Sequence, residues 1–394
     1  MKIYLLKKDK KNFKDWIEKT KCDPYSVEIM NRKTYLDLIF FKDAKIEFAN
    51  ILKQTALSVG CDCSIGRDVI SGDTKRSDIL LACTRSQLFK MKEKLKNQPF
   101  SLEKSLDNIL DMIEYKDSFF VQDIDLFLKK KFLMMGILNV TPDSFYDGGK
   151  YDKLSTGMKR VEEMLQQNVD IIDVGGQSTR PYSETVDVDV EIKRVLPFVD
   201  AITKRFPEVI LSVDTYNSKT ADICLSAGAK IVNDISGLNF DEEMKNVVSR
   251  NKASVILMHI KGTPQNMQNN PVYDDLLLEI VDFLQNSIDK AEKSGIESNR
   301  ISIDPGIGFG KTVEDNLKIL NNLDIFTTLK KPLTIGVSNK SFIGKILDRD
   351  KDERLYGTIG ANVVSLINGA KIFRVHNVKE NFEALKIAME IYCN

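Results

Sequence analysis

From residue 131 onward the chain repeats one pattern eight times, and this repetition restricts the fold more than any other feature. Short apolar or β-branched runs alternate with amphipathic stretches of roughly 10 to 20 residues. The runs are FLMMGILNV, VDIIDVGG, VILSVDT, AKIVNDI, SVILMHI, RISIDPG, PLTIGVS and KIFRVHN. Near-continuous apolar runs of this length belong to parallel strands covered on both faces, and parallel neighbours need helical crossovers between them. Eight such units in about 260 residues match an α/β fold of the eight-stranded (β/α)8 TIM barrel type. A doubly wound open sheet shares the alternation and is the alternative.

Polar residues end these runs: Asn139, Asp173, Asp214, Asn233 with Asp234, His259, Asp304, Ser338, and Arg374 with His376. In a barrel all of them converge on the C-terminal face, where barrel active sites lie. Any one of them is also explained as the cap of the following turn or helix. Capping explains less well why both of the chain's two histidines end barrel strands.

The first 125 residues have a different, Lys-rich texture. DAKIEFANILKQTALSVG predicts a helix stopped by Gly60, and SDILLACTRSQLFKMKEKLKNQPF predicts a strand followed by a helix. The reading is a small α/β domain over residues 1–125, a boundary near DIDLFLKKK, and the barrel over residues 126–394. A chain of 394 residues accommodates a barrel and one addition. Lys+Arg and Asp+Glu both number 57, without the basic excess of a general nucleic-acid binder. No apolar run approaches the roughly 18 to 20 residues of a membrane span, and charges follow the opening MKIYLL at once, unlike a signal peptide. A cytoplasmic protein is expected, its six cysteines free thiols. Cys61 and Cys63, in CDCS, lack zinc-knuckle spacing and read as ordinary thiols of a strand or turn.

Eight strings occur in order: GILNVTPDSFYDGG, DVGGQSTRP, SVDTYNS, AGAKIVNDISG, LMHIKGTPQNMQ, DPGIGFGKT, GVSNKSFIGK and RVHNV. Together they resemble the dihydropteroate synthase family over roughly residues 131–394. The resemblance implies a transferase of folate biosynthesis. It would join a dihydropterin-methyl diphosphate to 4-aminobenzoate, release diphosphate, use Mg²⁺, and be open to sulfonamides. Its partners would be these small molecules, with neither nucleic acid nor membrane, and a homodimer through outer helices is a further expectation. The first 125 residues would be an accessory domain of the kind attached in some bacterial members.

The residue chemistry suits that reaction. A pterin edge presents an amine and a ring N–H, for which carboxylates are natural acceptors. Asp214 and Asp304 would supply them, Asn233 would both donate and accept, and Phe309 would line the pocket. The diphosphate needs cations, and Lys340, Arg374 and His376 arrive from the seventh and eighth strands, where barrels often hold phosphate. Arg374 and His376 alternate with Val375 and so project to one side. In the family pattern Thr179, Arg180 and Pro181 form a second loop on the pterin diphosphate, and Asn139 contacts the metal through its amide oxygen. Asp147 would add a metal ligand and Phe145 would seal the aniline ring. Ser338 is expected to N-cap a helix beginning in SNKSFIGKIL and to help hold the 4-aminobenzoate carboxylate. Because 4-aminobenzoate is a weak nucleophile and the dihydropterin is electron-rich, ionisation to a pterin-methyl cation would run ahead of attack. Gln177, Asn339 and Asn377 stand where the family usually has Glu, Arg and Asp. Two other readings are a corrinoid-dependent methyl transfer on the same barrel and a non-catalytic pterin-binding module. The first leaves the diphosphate cations without a purpose, and the intact loop strings oppose the second.

Overall fold

The computed structural model describes residues 17–393 apart from residues 18, 34, 35, 97, 142–149, 179–181 and 184. Two compact units divide between Tyr115 and Lys116.

In the N-terminal unit, β1 (Leu36–Lys45), β2 (Asp62–Ile65) and β3 (Arg76–Thr84) form an antiparallel sheet in the order β1-β3-β2. Alternation along β3 sends Ile79, Leu81 and Cys83 to one face. There they pack with Leu52 and Ala56 of the helix Ile46–Ser58, Leu88 and Met91 of the helix Arg85–Leu95, and Leu106 of the helix Leu102–Glu114. The first of these helices starts later than expected, because Asp43, Ala44 and Lys45 extend β1. It ends as expected, with Gly60 left-handed at φ 75 just beyond it. Thr84 and Gln87 start the helix Arg85–Leu95 with a reciprocal capping box. Cys61 and Cys83 are buried, and burial pushes the Cys83 thiol up to about 12, so they serve as packing residues rather than reactive thiols.

The second unit opens with a short antiparallel hairpin, β4 (Phe120–Val121) and β5 (Ile124–Asp125). Eight parallel strands follow: β6 (Leu133–Asn139), β7 (Ile171–Gly175), β8 (Ile210–Asp214), β9 (Ile231–Asp234), β10 (Ser254–Met258), β11 (Ile301–Asp304), β12 (Thr334–Ile335) and β13 (Ile372–Val375). Their order is β11-β10-β9-β8-β7-β6-β13-β12. A parallel bridge from Ile303 to Leu333 joins the two ends and closes the sheet, so the fold is the barrel and not the open alternative. Strands β7, β9, β10 and β11 are buried along their whole length, which accounts for their unbroken apolar sequences.

The hairpin lies within the second unit, before the expected boundary between residues 125 and 126. Phe119 and Val121 are buried with Leu133, Met135, Ile171, Ile231, Ile256 and Ile372, residues from the entry ends of four barrel strands and from the bodies of β6 and β10. Ser254 donates through Oγ to the Phe120 carbonyl at 2.6 Å. The hairpin is thus the floor of the barrel. Only contacts distant in sequence reveal this, since four paired residues carry too little pattern to be assigned to either side. Among the described residues no helix is long and apolar enough to cross a membrane.

A fragment beginning at Lys116 is expected to melt as the barrel does in the full chain. One beginning at residue 126 loses the floor, and Phe119 alone is worth about 3–5 kcal/mol as a fully buried ring. Thermal melts of the two fragments test this. Equal melting temperatures would return the hairpin to the N-terminal unit.

Candidate active site

Three strands contribute the central ion cluster. Arg374 on β13 donates from Nε to Asp173 Oδ2 at 2.6 Å and from Nη2 to Asp214 Oδ2 at 2.6 Å. Asn233 on β9 donates from Nδ2 to the same Asp173 oxygen at 3.1 Å. Asp173 is fully buried, and its Oδ1 has no hydrogen-bond partner. Burial pushes the Asp214 carboxyl up to about 7 against the pull of the Arg374 guanidinium. The two carboxylates hold Arg374 charged, outweighing the effect of its burial.

A second group surrounds Asp304, the last residue of β11. Its Oδ1 accepts from the Gly306 backbone at 2.7 Å, and burial raises its carboxyl while Lys340 draws it down. Lys340 bonds the Ile307 carbonyl and lies 4.5 Å from the centroid of Phe309. Its ammonium is pushed down to about 8 by burial, opposed by Asp304. An apolar wall of Ile235, Met258, Ile260 and Met267, with Tyr216 and Phe309 against it, completes this side.

The strand-end residues divide by what their own loops consume. Asp234 accepts from the backbones of Ser236 and Leu238 and from the Ser236 hydroxyl, at 2.7–2.9 Å, so it braces its own turn. His259 is buried with its Nδ1 2.9 Å from Lys311 Nζ. His376 pairs through Nδ1 with Ser338 Oγ at 2.9 Å, and its carbonyl accepts from Arg160 Nη2 at 2.6 Å. The expectation that Ser338 caps a helix is corrected: the helix runs over Ser341–Leu347, its N-cap position is Lys340, and no side chain caps it. Asn339, left-handed at φ 57, turns the chain between Ser338 and the helix and leaves the serine facing His376.

Asn139 ends β6. A Cβ on Gly175 would lie 3.7 Å from Asn139 Oδ1 and 3.5 Å from Asp214 Oδ2, so the glycine keeps a small space bordered by amide and carboxylate oxygens. Such donors suit a hard cation like Mg²⁺, which usually takes few protein ligands. Among the described residues no cluster of three His, Cys, Asp or Glu forms a fuller cage. Phe145, Asp147, Thr179, Arg180 and Pro181 lie outside the described residues.

Residues 135–376 match the pterin binding enzyme family. A dihydropteroate synthase from Synechocystis sp. is 44% identical over 260 residues, 66% of this chain and 90% of that protein. The chain belongs to the dihydropteroate synthase family. A crystal structure of the Yersinia pestis dihydropteroate synthase, in a sulfonamide drug complex, is similar with a TM-score of 0.67 at 37% identity, covering 70% of this chain and 100% of that one. A probable bifunctional folylpolyglutamate synthase/dihydropteroate synthase of Halobacterium salinarum is 38% identical over 341 residues, 86% of this chain and 41% of that protein. A match of that length extends past the barrel into the N-terminal unit.

Of the three departures from the family pattern, Gln177 makes a side-chain contact that leaves its buried Oε1 without a partner, and Asn339 and Asn377 are held through their backbones. Gln177 is buried and donates from Nε2 to the Tyr216 hydroxyl at 2.7 Å. Asn339 has its backbone tied to Thr358 Oγ1 and Arg354 Nη1. The Asn377 carbonyl accepts from Asn381 Nδ2 at 2.7 Å. Sequence reasoning passed over Asp173 as one more strand-end polar group. The available signal was an aspartate embedded in the apolar run VDIIDVGG, where an unpaired charge would be costly.

The pH profile of kcat/KM reports the free enzyme. Below about 7 Asp214 takes up a proton and ceases to be a full acceptor. Above about 8 Lys340 loses its charge. A narrow bell with its maximum between these values is expected, and Lys340→Arg should extend the alkaline limb in steady-state assays. An unchanged alkaline limb would assign it to another group.

Proposed function

We propose that the barrel mouth joins (7,8-dihydropterin-6-yl)methyl diphosphate to 4-aminobenzoate by the charge arrangement described above. The observation that carries this reading is the Arg374 guanidinium held between Asp173 and Asp214, with Lys340 beside Asp304. Acceptors for a pterin edge and cations for a diphosphate thus meet in one site.

Asp214, Asn233 and Asp304 take the pterin edge, and Phe309 with the Met258 wall covers its faces. A guanidinium has the same row of N–H donors as a pterin edge. On binding, the pterin replaces one arm of Arg374 at Asp214, Asp173 retains Nε, and the freed arm turns to the diphosphate. Lys340, Arg374 and His376 then gather the negative charge that develops as the methylene C–O bond breaks. By family resemblance Arg180 joins them and Thr179 and Pro181 border the pterin diphosphate. The electron-rich dihydropterin stabilises the methylene cation, and the aniline nitrogen forms the new C–N bond before releasing its proton to solvent. Orienting the amine is the second contribution. Ser338, paired with His376, stands near the 4-aminobenzoate carboxylate, and Phe145 covers the aniline ring. Bound Mg²⁺ would neutralise diphosphate charge, with Asn139 holding it and Asp147 a second ligand.

Lys340→Ala and Arg374→Ala are each expected to lower turnover by about 2–4 kcal/mol of transition-state stabilisation. Asp304→Asn should weaken pterin binding by about 1–3 kcal/mol, since it sets an amide N–H against a donor. Steady-state kinetics and calorimetry test these, and wild-type values in all three variants would overturn the site as drawn.

The chain is proposed to work as a homodimer in a reducing, cytoplasmic setting. The helix Leu355–Ile367 leaves Tyr356 84%, Val364 47% and Ile367 44% exposed, an apolar face that suits a second copy. The described cysteines that are identified as free fit the compartment. Tyr356→Glu is expected to shift sedimentation from dimer to monomer. A wild-type monomer at micromolar concentration would remove the proposal.

A further inference from the structure

The loop after β11, DPGIGFGKT, contains an arrangement that the roles above do not use. Gly306, Gly308 and Gly310 are all left-handed, at φ 71, 81 and 66. This alternation turns successive carbonyls away from any helix or sheet, and each then needs a partner. Four consecutive carbonyls find one from a side chain. Lys340 bonds Ile307, Gln268 Nε2 bonds Gly308 at 2.8 Å, Lys311 Nζ bonds Phe309 at 2.9 Å, and the Tyr273 hydroxyl bonds Gly310 at 2.7 Å.

Lys311 differs from the other partners. It is 3% exposed, and its amine also lies 2.9 Å from Nδ1 of His259, itself 4% exposed. His259 stands edge-on to Phe283 with ring centroids 4.8 Å apart, and its backbone N–H donates to the Asp304 carbonyl at 3.0 Å. The loop runs so close to it that a Cβ on Gly306 would come within 1.9 Å of the His259 carbonyl oxygen. Lys311 therefore bridges the middle of the loop to the end of β10. The residue so fixed, Phe309, presents its ring to the Lys340 ammonium at 4.5 Å.

We propose that Lys311 is a positioning residue of the pterin pocket: by spanning the Phe309 carbonyl and His259 Nδ1, it sets the Phe309 ring and, through that ring, Lys340. This rests on the pterin-pocket reading of Phe309 and Lys340. Burying an amine that is hydrogen-bonded to no carboxylate is costly, and an apolar side chain of similar length would fill the space without that cost. Burial pushes both the Lys311 ammonium and the His259 imidazolium well down. In either protonation state of the lysine, Nδ1 is the acceptor when the ring proton is on Nε2.

The test compares Lys311→Met, Phe309→Leu and the double variant in the full chain. Lys311→Met is expected to raise KM for the pterin diphosphate roughly tenfold, the scale of one lost buried hydrogen bond. KM for 4-aminobenzoate should change by less than about twofold, because the pocket on that side is untouched. Since Lys311 acts through Phe309, the double variant should match Phe309→Leu rather than multiply the two effects. Multiplicative effects, or equal rises for both substrates, would overturn the role. If Lys311→Met does not fold, the bridge is tested from its other end. His259→Gln keeps an acceptor and should remain near wild type, whereas His259→Leu should reproduce the rise, and equal effects would overturn the role. Absence of turnover in the wild type would count against the synthase reading instead, and pterin calorimetry on the same variants then decides the positioning role without turnover.

Discussion

A guanidinium buried between two carboxylates organises the mouth of this barrel. Arg374 reaches from β13 past β6 to Asp173 on β7 and Asp214 on β8. None of the three charges would be tolerated there alone, because removing one partner leaves an uncompensated charge in a low-dielectric site. Together they tie strands that are not neighbours, align Asn233 through Asp173, and set the Arg374 guanidinium against the rise that burial gives the Asp214 carboxyl. In the proposed reaction this is also a placeholder, since the arginine holds the acceptor that the pterin edge will need.

The two ends of the barrel are built on different physics. At the floor, Phe119 and Val121 bury apolar surface against Leu133, Ile171, Ile231, Ile256 and Ile372, with nothing to titrate. At the mouth, stability gives way to paired charges and to a glycine loop whose carbonyls depend on side chains from elsewhere. Binding energy can therefore be drawn from rearranging the mouth while the floor keeps the strands in register. This is the usual division of labour in barrels, with function at the carboxyl ends of the strands and stability at the other.

The strand ends that border the mouth were legible in the sequence pattern. Asp214 and Asp304 close apolar runs and Arg374 lies one residue from the end of its strand, so the strand end at which each stands was legible without knowledge of the fold. Lys340 was singled out by its motif, and its ammonium lies 4.5 Å from the Phe309 ring centroid. Ser338 illustrates the opposite case. Its spacing suggested a helix cap, but one left-handed residue, Asn339, moved the helix start and gave the serine to His376. A backbone reversal of that kind has no signature in hydrophobic period.

The eight-fold repeat by itself determined a parallel sheet with both faces covered, because strands apolar on both faces and joined by amphipathic helices have few other ways to be covered, and the bridge from Ile303 to Leu333 decided its closure into a barrel. The repeat also determined which residues can face the mouth. Tertiary structure alone decided the partnerships: Asp173 with Arg374 across 201 positions of sequence, Lys311 with His259 across 52, and the hairpin at Phe120 with the barrel floor at Ser254 across 134. The reason is that a hydrogen bond depends on distance in space at the scale of one atom, whereas sequence pattern specifies only the face and the element on which a side chain stands.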